Sequence, residues 1–166
     1  MNIRKIQIQI EEYDDAGSLG KADLSLLTHA QKALSGSYAP YSEFHVGAAV
    51  LLENGKIIQG SNQENAAYPS GLCAERVAIF HAQSIYPDVK VKAIAITAEA
   101  EHFITKSPVT PCGACRQVIA ETENRQNGKI RIIMKGQEGI IQAVNGIEHL
   151  LPLVFQEEKL KKSKRS

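Results

Sequence analysis

The chain carries three cysteines and one glutamate in a pattern suited to metal-assisted hydrolysis. Cys73 and Glu75 stand two positions apart, and Cys112 and Cys115 have a C-x-x-C spacing that places them on one face of a helix. Thiolates bind zinc at about 2.3 Å, and a structural zinc site needs four protein ligands. Three ligands leave one position open for a water molecule, whose pKa zinc lowers to about 7. Glu75 can touch that water without binding the metal, and so act as a proton carrier.

Other interpretations of the same residues stay open at this point. Cys112 and Cys115 alone have the spacing of a redox pair, although such a pair would not need Cys73 or Glu75. A structural zinc site would need a histidine as its fourth ligand, and none stands at a ligand spacing from the cysteines. The histidines lie at positions 29, 45, 81, 102 and 149. We expect them to have no catalytic part, with His45 packing on its strand.

Length and composition favour one globular domain. The chain has 166 residues and a mass of 18.1 kDa, and its 43% hydrophobic and 22% charged residues exclude a disordered chain. The longest apolar run, Val46 to Leu52, is far shorter than the roughly 20 residues of a membrane helix. The charged N-terminal segment does not resemble a secretory signal. A low and odd number of cysteines argues against a disulfide framework. We therefore expect a reduced, cytoplasmic protein with no membrane partner.

Positive charge is concentrated near the C-terminus. The chain has 19 basic and 18 acidic residues, but five of the basic residues lie among the last eight positions. Without residues 156–166 the body holds 14 basic and 16 acidic residues, a net charge of −2. Nucleic-acid binders usually show a basic body or stripe. The charge distribution therefore predicts a solvated basic tail and no nucleic-acid partner.

The reactive residues are predicted at the starts of two helices. One of these helices runs from Cys73 to about Ser84 and the other from about Cys112 to Asn127, and a further helix precedes Gly36. Apolar runs predict strands at Phe44–Leu52, Lys56–Gly60, Val91–Ala98, Lys129–Lys135 and Ile140–Ala143. The connection Gly136–Gly139 is too short for a parallel crossover, so the last strand should run antiparallel to the strand before it.

The order of these elements predicts an α/β fold, with a mostly parallel five-stranded sheet and helices on both faces. Isoleucines at positions 3, 6, 8 and 10 partly alternate with polar residues, which predicts a short strand, and the acidic run Glu11–Asp15 predicts a turn. We assign residues 1–20 to an N-terminal arm, residues 21–158 to the main domain and residues 159–166 to a basic C-terminal tail.

Four segments together resemble the small, homotetrameric, zinc-dependent cytidine deaminases of the cytidine/deoxycytidylate deaminase superfamily. They are Tyr41–Ala49, Asn62–Pro69, Cys73–Arg76 and Ser107–Gln117. The most specific parts are Cys-Ala-Glu-Arg and Pro-Cys-Gly-Ala-Cys-Arg-Gln. The resemblance implies a three-layer α-β-α fold with a five-stranded mixed sheet whose last strand is antiparallel. Residues 21–158 would then be a cytidine deaminase domain.

The resemblance also implies a role for individual residues. Cys73, Cys112 and Cys115 would bind one zinc ion per subunit, Glu75 would be the general acid and base, and Arg76 would hydrogen-bond the ligand thiolates. The substrate contacts would be Phe44 beside the pyrimidine, Asn62 and Glu64 at the ribose 3′-hydroxyl, Tyr68 in the nucleoside loop, the Ala74 N–H at the pyrimidine carbonyl edge, and Phe155. In this family the phenylalanine that matches Phe155 reaches the base in a neighbouring subunit of the homotetramer, so Phe155 would act in trans.

The reaction implied is hydrolytic deamination of cytidine and 2′-deoxycytidine to uridine and 2′-deoxyuridine plus ammonia, a step of pyrimidine salvage. Zinc-bound hydroxide would attack C4, and Glu75 would carry a proton to N3 and then to the leaving amine. A deaminase of another small aminopyrimidine, such as a blasticidin-type antibiotic, would not need Asn62 and Glu64. A nucleic-acid editor would need a parallel last strand and a basic groove. A non-catalytic zinc-binding module is a third alternative. Gln63 departs from the family, which usually has an apolar residue there.

Overall fold

A mixed sheet separates one helix on one face from two helices on the other. The computed structural model describes residues 1–156; the predicted basic tail, residues 159–166, and the predicted domain end at residue 158 lie outside them. The elements are β1 (Glu11–Tyr13), α1 (Lys21–Ala33), β2 (Phe44–Leu52), β3 (Ile57–Ser61), α2 (Ala74–Ile85), β4 (Val91–Ala100), α3 (Gly113–Gln126), β5 (Arg131–Lys135) and β6 (Ile141–Asn145). None of these helices is both long and apolar enough to cross a membrane.

The central strands are apolar on both faces, which is why helices cover both sides of the sheet. Val50 of β2 and Ile94 of β4 belong to one core, which they share with residues of α2 and α3. Their neighbours Ala49 and Ala95 point to the opposite face and pack in a second core with Leu27 and other residues of α1. The α-β-α layering implied by the resemblance is therefore confirmed.

The strand order is β1-β6-β5-β4-β2-β3. β6 runs antiparallel to β5, as the short Gly136–Gly139 connection predicts. The expectation that most strands run parallel is wrong, because β4 and β5 are the one parallel pair among the described strands. The reason is that β3 and β4, which α2 connects, are separated in the sheet by β2, and β2 is antiparallel to both of them.

The sheet has six described strands rather than five, because the N-terminal arm contributes β1. The strand predicted from the alternating isoleucines is wrong: residues 1–10 form none, and the strand begins in the acidic run predicted as a turn. Arg131 explains this placement. Its guanidinium donates hydrogen bonds to Glu11, at 2.7 and 3.1 Å, and to Asp23 of α1 at 2.8 Å. A cross-strand cation thus pairs with the acidic residues, whereas the isoleucines remain exposed.

The two helices with the predicted reactive residues begin directly after a cysteine. Cys73 is the N-cap residue of α2, and Cys112 is the N-cap residue of α3. The start of α2 is held against β3 by a close backbone contact at Gly60. A Cβ atom at this position would lie 2.5 Å from the Ala78 nitrogen and 2.7 Å from the Ala74 carbonyl oxygen. Glycine is therefore required for the approach that fixes the first turn of α2.

Replacing Gly60 tests whether this contact supports the fold. Gly60→Ala has to push α2 away from β3, and we expect overpacking to lower the free energy of unfolding by about 1–3 kcal/mol. Denaturant unfolding of the purified protein measures the change. Gly128→Ala is the matched control, because the atom nearest to its added Cβ is 3.8 Å away. Equal stability of the Gly60→Ala variant and the native protein would contradict this account.

Candidate active site

Three sulfur atoms from two helix starts form a compact cluster. The Sγ atom of Cys73 lies 3.7 Å from that of Cys112, which lies 3.5 Å from that of Cys115. All three sulfur atoms lie within 4.8 Å of one another. Cys115 is buried in the first turn of α3, whereas Cys112 is exposed at its N-cap. The structure thus brings together residues that the sequence separates by up to 42 positions.

The spacing of the sulfur atoms fits a tetrahedral zinc ion. Ligands held at about 2.3 Å from a tetrahedral centre lie about 3.8 Å from one another. The Cys112–Cys115 and Cys73–Cys112 sulfur–sulfur distances, 3.5 and 3.7 Å, are close to that edge length. Within residues 1–156, this is the only group of three or more cysteine, histidine, aspartate or glutamate side chains close enough to hold a metal ion. The donor set therefore fits zinc with three thiolates and leaves a fourth position for another ligand.

The surroundings of Cys73 favour its thiolate form. Interaction with the neighbouring Cys115 thiol, with further contributions from Arg76 and Cys112, lowers the pKa of Cys73 to about 5. The same interaction, together with burial, raises the pKa of Cys115. Arg76 Nη2 lies 3.9 Å from the Cys73 sulfur and donates to the Gly71 carbonyl oxygen at 3.3 Å. One guanidinium thus carries positive charge to the edge of the cluster.

Glu75 is a buried carboxyl group next to the thiol cluster. It stands in the first turn of α2, where its exposed fraction is 4%. Burial raises the pKa of Glu75, and the negative charge of Cys73 raises it further. A carboxyl group in such a setting holds its proton more readily than an exposed one and can exchange it with a bound molecule.

A single cavity of about 500 Å³ joins the cluster to the predicted substrate residues. Its lining includes Cys73, Glu75 and Cys112 at one end. It also includes four of the six predicted substrate contacts, which are Phe44, Asn62, Glu64 and Tyr68. Further lining residues that the sequence did not single out are Ser42, Val46, Leu72, Val109 and Thr110. Most of them carry no chemical signature, so only the tertiary structure reveals their place.

Two polar side chains at the far end of the cavity are firmly held. Asn62 Oδ1 accepts hydrogen bonds from Ser37 Oγ at 2.6 Å and from the Val46 N–H at 2.8 Å, and its Nδ2 donates to the Phe44 carbonyl oxygen at 2.9 Å. Glu64 accepts from the Ser42 hydroxyl and from backbone N–H groups of Tyr41 and Ser42. The hydroxyl bond is the main cause that lowers the pKa of Glu64, so the group is a carboxylate at neutral pH.

The remaining predicted substrate contacts lie away from this lining. Ala74 is fully buried at the first position of α2, where only its backbone can face a ligand. Phe155 is 70% exposed and does not line the cavity, and its carbonyl oxygen accepts a hydrogen bond from Gln117. Gln63, which departs from the family pattern, lines the cavity while its amide donates to the Gly36 carbonyl oxygen at 2.9 Å. That bond explains how a polar residue is accommodated in the loop.

Comparisons with known proteins agree with this geometry. The family model described as "Cytidine and deoxycytidylate deaminase zinc-binding region" matches residues 21–127. The chain is 41% identical over 135 residues to a cytidine deaminase of Halalkalibacterium halodurans, an alignment that spans 81% of this chain and 95% of that protein. It is 43% identical over 136 residues to a cytidine deaminase of Sporosarcina psychrophila, with 81% and 92% covered.

Solved structures give the same result. The crystal structure of cytidine deaminase from Burkholderia pseudomallei superimposes with a TM-score of 0.68 at 36% sequence identity, covering 79% of this chain and 97% of that one. The family model spans well over half of the chain, and the two relatives are covered almost completely. The chain therefore belongs to the cytidine and deoxycytidylate deaminase family with its zinc-binding region.

Proposed function

We propose that the protein is a zinc-dependent deaminase that converts cytidine and 2′-deoxycytidine to uridine and 2′-deoxyuridine, with release of ammonia. The observation that carries this proposal is the position of Glu75, a buried carboxyl group that lines the same cavity as two of the three clustered thiols. The cavity also carries Asn62 and Glu64, polar groups suited to a sugar, at its other end. This combination favours a nucleoside over a free aminopyrimidine or a polynucleotide.

Cys73, Cys112 and Cys115 would hold the zinc ion. Once bound, zinc supplies a polarised water molecule that can act as a nucleophile near neutral pH. The three thiolates would give the site a net charge of −1, which Arg76 offsets in part from 3.9 Å. Arg76 Nη2 also donates to the Gly71 carbonyl oxygen, which holds the guanidinium beside Cys73.

Glu75 would manage the protons of the reaction. Its carboxylate would take a proton from the attacking water and deliver it to N3 of the cytosine ring. It would then take the second proton, from the hydroxyl group added at C4, and pass it to the departing 4-amino group as the carbonyl forms. Burial favours the protonated form of Glu75, which is the form that donates. The site must therefore hold the carboxyl group within reach of both the water and the ring, which a position in the first turn of a rigid helix allows.

The base and the sugar would be bound at opposite ends of the cavity. Phe44 offers an aromatic surface for the pyrimidine, and the Ala74 N–H, at the unpaired start of α2, can donate to its carbonyl edge. Asn62 and Glu64 would bind the 3′-hydroxyl, one as donor and the other as acceptor. Tyr68 would close the nucleoside loop on that side. These assignments are the ones that the family resemblance implies, and Phe44, Asn62, Glu64 and Tyr68 support them because they line the cavity.

Glu75→Gln tests the proton-carrying role. The amide keeps the shape of the side chain but cannot exchange a proton, so we expect kcat for cytidine to fall by about 10²–10⁴-fold. Loss of cytidine absorbance measures turnover, and metal analysis of the same sample serves as the control, since zinc should be retained. Near-normal turnover with zinc bound would rule this mechanism out.

Metal removal tests the zinc requirement. We expect a chelator to abolish turnover and added zinc to restore it, because the nucleophile depends on the metal. Cys112→Ser should lower the zinc content and reduce activity to below about a tenth, since one thiolate ligand is lost. Protein that contains no metal and still deaminates cytidine would contradict the proposal.

We also propose that the protein works as a homotetramer in which Phe155 of one subunit reaches the site of another. Support comes from large apolar side chains that are exposed in the single chain, among them Phe80, Leu153 and Phe155. Such side chains usually mark a surface that another chain covers. Phe155 also lies in the segment that Gln117 of α3 ties down by a hydrogen bond at 2.9 Å.

Mixed assemblies test the trans role of Phe155. Phe155→Ala and Glu75→Gln subunits should each be poorly active alone, because one lacks the aromatic contact and the other the proton carrier. Co-expressed subunits should recover activity, since an intact Glu75 can then meet an intact Phe155 from its neighbour. Sizing by light scattering gives the assembly state. A fully active monomer, or mixtures no better than the average of the two variants, would contradict the trans role.

We further propose that residues 21–158 form the deaminase domain, flanked by the arm of residues 1–20 and the tail of residues 159–166. The start of the family match at residue 21 supports this division. We propose a cytoplasmic location, because three free cysteines that serve as metal ligands need a reducing compartment.

A further inference from the structure

A histidine outside the predicted set lies at the sugar end of the cavity. His45 stands on β2 between the two cavity residues Phe44 and Val46, and its side chain is 28% exposed. Both of its ring nitrogens are engaged. Nε2 lies 3.0 Å from Glu101 Oε1, and Nδ1 lies 3.1 Å from Ser37 Oγ. The expectation that His45 only packs on its strand therefore leaves two polar contacts unexplained.

Ser37 connects His45 to the predicted ribose contact. Its hydroxyl lies 2.6 Å from Asn62 Oδ1, so that Glu101, His45, Ser37 and Asn62 form one continuous chain of hydrogen bonds. The chain joins the end of β4 to the segment after β3 across the strand that carries Phe44. It passes the start of β2 and ends on a side chain that lines the cavity.

The direction of each hydrogen bond follows from donor counting. Asn62 Oδ1 also accepts the Val46 N–H, so it is the carbonyl oxygen of the amide, and the Ser37 hydroxyl must donate to it. Ser37 Oγ then accepts from His45, which places a proton on Nδ1. The other ring nitrogen, Nε2, lies 3.0 Å from Glu101 Oε1, so contacts on both sides of the ring hold His45 in place.

This arrangement leaves Asn62 with one free donor. Nδ2 has two N–H groups, and one of them is donated to the Phe44 carbonyl oxygen at 2.9 Å. With Oδ1 held by Ser37 and Val46, the amide cannot rotate, and the remaining N–H has a fixed direction. A donor held in one orientation loses less entropy on binding a hydroxyl group than one that rotates freely.

We propose that His45 is a positioning residue for nucleoside binding. Anchored by Glu101, it orients the Ser37 hydroxyl, and Ser37 in turn fixes the Asn62 amide for the sugar 3′-hydroxyl. The proposal rests on the proposed function, because it concerns the nucleoside of that same site. His45 touches neither the metal ligands nor the reacting base, so its effect belongs to binding and not to the chemical step.

The test compares cytidine with 2′,3′-dideoxycytidine, which lacks the hydroxyl group that Asn62 would bind. We expect His45→Ala to raise KM for cytidine about three- to tenfold, the value of one hydrogen bond, with kcat within about twofold. For dideoxycytidine, measured as a substrate and as a competitor of cytidine, the variant should match the native protein. Ser37→Ala should show the same pattern, and the double variant should be no worse than either single one.

Two carboxylates, Glu99 on β4 and Glu101 directly after it, provide a matched control. Glu101→Gln removes the charge that is bonded to His45 and should raise KM for cytidine. Glu99→Gln removes an equal charge from the residue that stands opposite His45 in the strand register but is not bonded to it, and should leave KM unchanged. Equal effects of the two variants would show that charge alone is at work and overturn the proposal.

Other outcomes would also overturn it. If His45→Ala weakens cytidine and dideoxycytidine equally, the residue supports the cavity in general and not the sugar contact. If the His45 and Ser37 effects add, the two residues do not act in one chain. Native protein that deaminates no cytosine nucleoside would remove the proposed function itself, an outcome that the first assay separates from failure of the hydrogen-bond chain alone.

Discussion

The contact between Cys73 and Cys112 joins the first turns of α2 and α3, and much of the fold serves to hold these two turns together. The sulfur atoms, 3.7 Å apart, come from segments that are 39 positions apart in the chain. Between them run the whole of α2 and β4, so the sheet sets the separation of the helix starts. Gly60 allows α2 to pack directly on the β3 backbone. Loosening that contact would shift the first turn of α2, which follows Cys73 and carries Glu75.

The close approach of the two helix N-termini brings negatively charged groups together and also supplies positive charge that offsets them. Burial and the negative charge of Cys73 both raise the pKa of Glu75. The N-terminal ends of α2 and α3 contribute partial positive charge, and Arg76 contributes a full one beside Cys73. This balance lets Cys73 ionise while Glu75 keeps its proton more readily than an exposed carboxyl group. This difference fits their proposed roles, with Cys73 as a metal ligand and Glu75 as the acid.

The sequence was sufficient to predict the part of the candidate site whose residues lie close together in the chain. Cys73 and Glu75 sit in one helical turn, and Cys112 and Cys115 sit in another, so spacing alone predicted their grouping. The antiparallel β6 was likewise predictable, because the short Gly136–Gly139 connection allows no crossover. The position of β1 could not be predicted, because it depends on Arg131, which lies 120 positions away from Glu11 in the chain. The proposed role of His45 could not be predicted from the sequence either, because only the tertiary structure brings its partners Ser37 and Glu101 close to it.

This division between local and tertiary encoding has a consequence for substrate choice. The metal end depends on short motifs in which almost any change removes a ligand or the proton carrier. The sugar end depends on a network in which Asn62 is held by Ser37 and Val46, and Ser37 by His45. Substitutions in that network alter the orientation of a donor without touching the thiols or Glu75. Preference among nucleosides that differ in their sugar hydroxyls can therefore change while the deamination chemistry stays intact, because separate parts of the fold hold the two ends of the cavity.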